Sequence, residues 1–248
     1  MRVEERLVVA LDVRGAQAAR SLAGLLAGRV GLFKVGMELF YSAGPAVVPE
    51  ITATGGAGVF LDLKLHDIPN TVDAAVRSLV GLAPAMVDLH ASGGLAMMRA
   101  AGEAAREEAC RLGATPPRLV AVTVLTALDE AAFRRAGYAG GIRDAVRRMA
   151  HLAREAGLDG VVAAAGEAAV LRRDLGEDFL IVTPGIRPAG SAPDDQRRVF
   201  SPREAVLAGA SHLVVGRPVT GAPDPVRAVE AILAEMRAAT EEEGGAGS

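Results

Sequence analysis

Short apolar segments alternate with helix-like segments along the whole chain, and this alternation constrains the fold more than any other feature. The apolar segments are rich in Val, Leu and Ile and lie at 6–12, 31–37, 58–64, 86–90, 118–125, 159–164, 179–183 and 212–216. The segments with helical periodicity lie at 15–27, 44–54, 70–82, 95–112, 142–156, 167–175, 202–209 and 224–239. Near-continuous apolar strands are typical of parallel sheets that are covered on both faces. The alternation therefore predicts an α/β fold, a single (β/α)8 barrel of the TIM type.

An open, doubly wound sheet is the alternative architecture for this pattern. Its dinucleotide-binding form carries a Gly-x-Gly-x-x-Gly turn after the first strand, whereas the residues here are Asp12-Val13-Arg14-Gly15. The length of 248 residues also suits one barrel. We predict a catalytic barrel domain over 1–240 and a flexible tail over 241–248, because EEEGGAGS offers little to bury.

The composition argues against several classes of protein. There are 27 Lys and Arg against 30 Asp and Glu, and this net charge of -3 disfavours a broad nucleic-acid-binding surface. The apolar runs are shorter than the roughly 20 residues of a membrane span. The opening residues MRVEERLVVALD do not resemble a secretory signal, and the single Cys110 cannot form an intramolecular disulfide. We expect a cytoplasmic protein that binds neither membrane nor nucleic acid.

Charged side chains lie at or near the carboxyl ends of the first four predicted strands, which is the end of a barrel where active sites are built. The first strand ends at Asp12, the second carries Lys34, and the third carries Asp62 and Lys64. The fourth carries Asp88 and His90, and Thr123 and Thr126 lie on or just after the fifth.

The third strand indicates how these charges are arranged. Side chains alternate between the faces of a strand, so Asp62 and Lys64 share the face opposite three leucines. The leucines can pack on helices, and the two charges then point into the barrel mouth. A structural ion pair is the simplest interpretation of one such pair. With Asp12 and Lys34 nearby, the convergence instead favours a catalytic network.

An anion site is predicted after the eighth strand. Gly216-Arg217 places backbone N–H groups and a guanidinium where many barrels bind phosphate. The preceding long loop, 184–200, carries Arg187 and Gln196 and could close over a ligand. On Arg217 alone, a solvated arginine at a strand exit would be the better interpretation.

The segment LDLKLHDIPNTV (61–72), with its Asp-x-Lys-x-x-Asp motif, resembles the orotidine 5′-phosphate decarboxylases, which complete UMP synthesis. Other segments resemble the family in the same order along the chain: FKVGMELFYSAGP (33–45), VTVLTAL (122–128), GLDGVV (157–162), TPGIRP (183–188), DDQRRV (194–199) and VVGRP (214–218). The resemblance covers nearly the whole chain. It implies a (β/α)8 barrel that decarboxylates a nucleotide without a metal or any other cofactor.

The resemblance also implies residue roles. Lys64 is similar to the proton donor, and Asp62 to the acid beside the substrate carboxylate. Asp67 and Thr71 resemble residues that reach into the neighbouring site of a homodimer. Further residues are similar to those that contact the rest of the small-molecule substrate: Asp12 and Lys34 at the ribose and in the charge network, Thr126 at the pyrimidine, and Arg187, Gln196, Gly216 and Arg217 at the phosphate.

Two other functions remain as alternatives. The first is a metal-dependent barrel enzyme acting on a sugar phosphate, of the epimerase or hexulose-phosphate synthase type, for which Asp62, His66 and His90 are possible ligands. Lys64 would then lie as a cation inside the metal's shell, which is unfavourable. The second is a catalytically silent barrel that senses a nucleotide, although every proposed catalytic position carries a competent residue.

Overall fold

Eight parallel strands close into a barrel, in which each strand pairs with its neighbour in sequence and the last pairs with the first. The structure is a computed structural model that describes residues 1–188 and 200–245. The strands are β1 (Leu7–Ala10), β2 (Leu32–Gly36), β3 (Gly58–Leu65), β4 (Met86–His90), β5 (Arg118–Val122), β6 (Gly160–Val162), β7 (Leu180–Thr183) and β8 (His212–Val215). The predicted (β/α)8 barrel is confirmed, and the open doubly wound alternative is wrong.

Helices cover the outside of the barrel. They are α1 (Ala16–Leu25), α2 (Met37–Ala43), α3 (Val47–Gly55), α4 (Pro69–Val80), α5 (Gly94–Leu112), α6 (Glu130–Arg135), α7 (Ile142–Glu155), α8 (Ala165–Leu175), α9 (Pro202–Leu207), α10 (Arg217–Thr220) and α11 (Pro225–Gly245). The sequence did not predict α2, α6 or α10. All three are short and lie in connections that follow the carboxyl end of a strand.

The core has two layers because side chains alternate along each strand. One set fills the barrel interior: Val8, Ala10, Leu32, Phe60, Met86, Val120, Val182 and Val214. The other set packs between the strands and the helices and includes the fully buried Phe33 and Phe133. The interior is therefore a packed apolar plug, and a cavity opens above it at the carboxyl ends of the strands.

The long loop after β7 is tied together at its base. Ile186 and Phe200 form a parallel β-bridge, and the N–H of Arg187 donates to the carbonyl of Phe200 over 2.9 Å. Ser201 then caps α9 reciprocally with Glu204. Residues 189–199, and with them the predicted site residue Gln196, lie outside the described part of the chain.

The last helix runs further than the sequence suggested. α11 ends at Gly245, so the expected flexible tail at 241–248 begins inside a helix. Residues 246–248 lie outside the described residues, and the flexibility of this segment stays a prediction. Among the helices of the described ranges, none combines the length and the apolar character needed to cross a membrane.

Candidate active site

Charged side chains from neighbouring strands meet at the carboxyl end of the barrel. β2 contributes Lys34, β3 contributes Asp62 and Lys64, and β4 contributes Asp88. Asp12 follows β1 and reaches the same cluster. We call these five residues the charge network. Their side chains lie above the apolar plug because each has the inward parity of its strand.

Salt bridges link the charge network into one chain of contacts. The Lys34 Nζ atom lies 3.2 Å from Asp12 Oδ1 and 3.0 Å from Asp62 Oδ2. The Lys64 Nζ atom contacts the other oxygen, Asp62 Oδ1, and lies 3.6 Å from Asp88 Oδ2. Asp62 is thus held between two ammonium groups, one on each carboxylate oxygen.

Burial and neighbouring charges act in opposite directions on these groups. Burial disfavours the ionised carboxylate of Asp62, but the Lys34 ammonium, a hydrogen bond with Asp88 and the Lys64 ammonium hold its pKa well below the usual range. Burial likewise opposes the charge of Lys34, yet the carboxylates of Asp62 and Asp12 raise its pKa. For Asp88, burial and the negative charge of Asp62 both raise the pKa well above its ordinary value.

The backbone of Lys64 is unusual. Its φ angle is 53°, in the left-handed region that non-glycine residues rarely adopt. The register of β3 against β4 shifts between Leu61 and Leu65, so Lys64 lies in a β-bulge. Bulges re-aim side chains next to active sites. Lys64 lies close to the end of β3. The bulge explains how its ammonium group nevertheless reaches the rim of the cavity.

A cavity of about 170 Å³ opens above the charge network. Its polar wall is formed by Lys34, Asp62, Lys64, Asp88 and Thr126. Its apolar wall is formed by Phe60, Val122, Val124, Leu125, Val162, Ala163, Pro184 and Val214. One charged wall facing one apolar wall suits a planar heterocycle that carries an ionised substituent on one edge. Four residues of the predicted site therefore line one cavity, and Asp12 joins them through Lys34.

Asp88 is the member of the network to which the sequence analysis gave no role. It is 1% exposed, and one of its carboxyl oxygens accepts the backbone N–H of Lys64 over 2.7 Å. The signal in the sequence was an acid with inward parity on β4, next to the strand that carries Asp62 and Lys64. Nothing local indicated which neighbour it would contact, since that depends on the bulge.

The two lysines of the chain are a second signal. Among 27 basic residues, only Lys34 and Lys64 are lysines, and both belong to the charge network. Every other basic side chain is arginine. An arginine stays protonated in proteins, whereas a lysine ammonium can release a proton. The exclusive use of lysine here is consistent with a site that moves a proton.

The predicted phosphate residues lie at the same end of the barrel. Gly216 follows β8, and a Cβ placed on it would lie 3.4 Å from Asp12 Oδ2. Arg217 begins α10 and is exposed, while Arg187 is 8% exposed at the base of the long loop. None of the three lines the cavity described above. They border the β7–β8 corner, where barrel enzymes often bind phosphate.

Asp67 and Thr71 lie outside the charge network and the cavity of their own chain. Both are exposed, and Asp67 Oδ1 accepts the N–H of Ile68 over 2.6 Å in the turn that leads into α4. Ile68 between them is 65% exposed, a large apolar side chain in solvent at this rim. Neither Asp67 nor Thr71 lines the cavity.

The histidines near the site form a separate group. His66 and His90 have ring centroids 5.2 Å apart and line a neighbouring cavity with Ser92, Thr123 and Tyr138. Burial, then the proximity of His66, lowers the pKa of His90. Within the described residues, no group of three or more His, Cys, Asp and Glu side chains is arranged to hold a metal ion.

The chain is similar to known proteins over most of its length. The family model for "Orotidine 5'-phosphate decarboxylase / HUMPS family" matches residues 5–232. The orotidine 5'-phosphate decarboxylase of Rhodospirillum rubrum is 53% identical over 228 residues, covering 92% of each chain. That of Moorella thermoacetica is 52% identical over 237 residues, covering 95% of this chain and 94% of its own.

A solved structure gives the same result. The crystal structure of orotidine 5'-phosphate decarboxylase from Lactobacillus acidophilus matches with a TM-score of 0.81 at 37% identity, covering 93% of this chain and 98% of its own. Sequence and fold therefore agree on what this chain is similar to.

Proposed function

Because the chain belongs to the orotidine 5′-phosphate decarboxylase / HUMPS family, we propose that it converts orotidine 5′-phosphate to UMP and CO2, the last step of de novo pyrimidine nucleotide synthesis. It would act as a carbon–carbon lyase without a cofactor. The observation that carries the proposal is the Lys64 ammonium, held against Asp62 at the charged wall of a heterocycle-sized cavity.

The reaction explains why an ammonium is needed. When the bond between C6 and the carboxylate breaks, its electron pair stays on C6 and no ring position can absorb it. An ammonium beside C6 stabilises this charge as it develops. One Nζ proton of Lys64 then passes to C6 to give UMP, and the resulting amine regains a proton from solvent.

Asp62 has two roles in this proposal. It holds the Lys64 ammonium in place through Oδ1, and Lys34 in turn fixes Asp62 through Oδ2. Its ionised carboxylate would also lie close to the substrate carboxylate, where like charges raise the energy of the bound substrate and favour loss of CO2. That second contribution is contested for enzymes in general, so the orientation of Lys64 is the larger role that we assign.

The remaining site residues bind the rest of the nucleotide. Thr126 lies on the cavity wall, where it can hydrogen-bond to the pyrimidine. Asp12 and Lys34 can contact the ribose hydroxyls, since Asp12 is 52% exposed at the mouth. Gly216, Arg217, Arg187 and Gln196 are assigned to the phosphate. Binding energy from this remote group can drive closure of the long loop and so contribute to the rate.

A homodimer completes the site in this proposal. Asp67 and Thr71 are exposed and do not line their own cavity, as expected of residues that act in a neighbouring one. Ile68 beside them is 65% exposed and would be available for a contact with the neighbouring subunit. A small-molecule nucleotide is the substrate, and we assign the enzyme to the cytoplasm, where pyrimidine nucleotides are made.

The sugar-phosphate alternative receives less support from the geometry. The oxygens of Asp62 both face lysines, while His66 and His90 contact each other in a separate cavity. The three ligand types that the alternative requires therefore do not converge on one point.

The decisive assay follows the loss of absorbance of orotidine 5′-phosphate with purified protein after exhaustive chelation. We expect turnover that chelation does not reduce. Turnover of a pentulose or hexulose phosphate that depends on a divalent metal, with none of orotidine 5′-phosphate, would overturn the proposal. Binding of UMP without turnover of any substrate would instead support the silent-sensor alternative.

A further inference from the structure

Asp88 lies at the floor of the cavity and contacts Lys64 from below. It is 1% exposed in the middle of β4. On one side, β3 brings Asp62 and Lys64 against it, and Lys34 of β2 lies behind Asp62. On the other side, β5 pairs Val120 with it and places Val122 on the cavity wall. The charged groups that face Asp88 therefore come from β3, with Lys34 one contact further away.

The carboxyl groups of Asp88 and Asp62 both face the Lys64 ammonium, Asp62 through Oδ1 and Asp88 through Oδ2 at 3.6 Å. Two buried carboxylates around one ammonium repel each other, and this repulsion favours a proton on one of the pair. Asp62 has an ammonium on each of its oxygens, whereas among the described residues Asp88 has a salt bridge to Lys64 alone, at 3.6 Å. The proton therefore belongs on Asp88, which is also the more deeply buried of the two. Its raised pKa is in the same direction.

The charge balance of the network leads to the same assignment. With Asp88 neutral, the carboxylates of Asp12 and Asp62 face the ammonium groups of Lys34 and Lys64, and the charges cancel. With Asp88 ionised, a further negative charge would be buried with no cation of its own. Burying an unpaired charge is strongly unfavourable.

Asp88 also holds the backbone of Lys64 through a hydrogen bond. In the bulge, the N–H of Lys64 has left the regular pairing of β3 with β4. It donates instead to Asp88 Oδ1 over 2.7 Å. This side-chain acceptor replaces a ladder carbonyl at the residue whose φ is 53°. A left-handed conformation in a non-glycine residue persists only where the surroundings hold it.

We propose that Asp88 is a positioning residue: as an uncharged acid it accepts the Lys64 N–H, donates its own proton in a hydrogen bond to Asp62, and so aims the Lys64 ammonium into the cavity. The kinetic part of this inference rests on the proposed decarboxylation. The protonation state of Asp88 does not, because it follows from contacts within the chain.

The kinetic test compares two substitutions at Asp88 with one at Asp62. In Asp88→Asn, the amide oxygen can still accept the Lys64 N–H and the amide nitrogen can still donate to Asp62. We expect kcat to fall by no more than about threefold. In Asp88→Ala, both hydrogen bonds are lost, and kcat should fall by about 100-fold with little change in KM, as expected when a reacting group is displaced. Asp62→Asn is the matched control, and its loss of charge should reduce kcat far more than Asp88→Asn does.

The second test needs no activity. The free energy of unfolding is measured between pH 4 and pH 8 for the wild type, Asp88→Asn and Asp178→Asn, the last an exposed acid-to-amide control. Above about pH 4 the unfolded chain releases the Asp88 proton while the native protein keeps it, so rising pH favours unfolding of the wild type. The stability of Asp88→Asn relative to the wild type should therefore increase with pH, and that of Asp178→Asn should not.

Each result bears on the proposal. Equal loss of kcat in Asp88→Asn and Asp88→Ala would overturn it, as would a difference in stability between Asp88→Asn and the wild type that does not change with pH. If Asp88→Ala does not fold, Asp88→Asn still decides the question through both measurements. If the wild type has no decarboxylase activity, the proposed function is contradicted. The protonation of Asp88 can still be tested, because the pH dependence of unfolding does not require activity.

Discussion

At the scale of single residues, the proposed chemistry depends on whether a basic position carries lysine or arginine. Lysine occurs only at 34 and 64, and each of these side chains bonds to Asp62. Every other basic residue is an arginine, and some of these form exposed ion pairs, such as Arg203 with Glu242. Exposed pairs of this kind contribute little to stability, typically under about 1 kcal/mol. In the proposed mechanism the Lys64 ammonium gives up a proton, which a lysine can do and an arginine cannot.

Arg217 gives a residue-scale prediction about the phosphate. In Arg217→Ala, kcat/KM for orotidine 5′-phosphate should fall about 10- to 150-fold, the equivalent of the 1.5–3 kcal/mol of one charged hydrogen bond. Activity on orotidine, which lacks the phosphate, should change far less. Steady-state kinetics with both substrates is the measurement, and Arg203→Ala, an arginine of α9, is the control. Equal loss with both substrates would remove Arg217 from the phosphate site.

Strand parity was enough to predict which charged side chains lie together at the barrel mouth, while their catalytic roles stay predictions. Asp62, Lys64 and Lys34 line one cavity, as the alternation of side chains implied. Asp88 received no role because its contact with Lys64 depends on the bulge in β3, and no residue of that strand signals a bulge. A lysine with a φ of 53° could not be expected from its type, since glycine or asparagine is usual there.

At the scale of elements, the eight strands were predictable, but three of the four shortest α-helices in the described residues were not; the fourth, α9, overlaps the predicted segment 202–209. Each predicted strand overlaps an observed one, because an apolar run buried on both faces is a strong local signal. α2, α6 and α10 span four to seven residues each. Helices this short are stabilised mainly by tertiary packing, so their periodicity is too brief to indicate them.

One strand, β8, shows how position along an element determines function. Its carboxyl end leads to Gly216 and Arg217 at the candidate phosphate site, while His212 begins the strand at the opposite end of the barrel. His212 is 7% exposed, and its Nδ1 atom has no hydrogen-bond partner among the described residues. Burial, then the positive charge of Arg6, lowers the pKa of His212 from 6.5 to about 4.

This lowered pKa predicts a stability change with pH. The unfolded chain binds a proton at His212 near pH 6.5, whereas the native protein stays neutral there until about pH 4. Acid therefore favours the unfolded state, and stability from this residue, complete above pH 6.5, is lost as pH falls towards 4. The loss should amount to roughly 3 kcal/mol.

Urea unfolding of the wild type and His212→Gln at pH 7 and at pH 4.5 measures the effect. The glutamine variant does not take up this proton, so its stability relative to the wild type should be higher at pH 4.5 than at pH 7. The other three histidines are common to both proteins and cancel in the comparison. An unchanged difference between the two pH values would show that His212 titrates alike in both states.

At the scale of the whole molecule, the closed barrel separates stability from chemistry. The apolar plug fills the middle, and the charge network lies above it on four strands that are neighbours in sequence. Since the carboxyl ends of parallel strands all open on one side, distant parts of the chain meet there without a dedicated scaffold. The fold class could be predicted from the sequence because apolar runs alternate with helical segments along the whole chain.

The assembly leads to a whole-molecule prediction. Lys64→Ala and Asp67→Asn subunits should each be inactive as homodimers, and mixing them should restore activity. With random exchange, half the dimers are mixed and each has one intact site, so about a quarter of wild-type activity is expected for a two-fold dimer.

The design of this experiment relies on the local structure. Asparagine at 67 retains the side-chain oxygen that accepts the Ile68 N–H, so the turn into α4 is preserved. Activity is measured after the two variants have been unfolded together and refolded, with each variant treated alone as the control. No recovery on mixing would mean that every site is made by a single chain.

The most direct test of the account is turnover of orotidine 5′-phosphate by Lys64→Ala, measured beside its affinity for UMP, with Lys64→Arg as the variant that keeps the positive charge. The account predicts that kcat falls by about 100- to 10,000-fold in both variants, because neither delivers a proton to C6. The dissociation constant of UMP for Lys64→Ala should stay within about tenfold of the wild-type value. Substantial turnover by Lys64→Ala would contradict the claim that the Lys64 ammonium protonates the product.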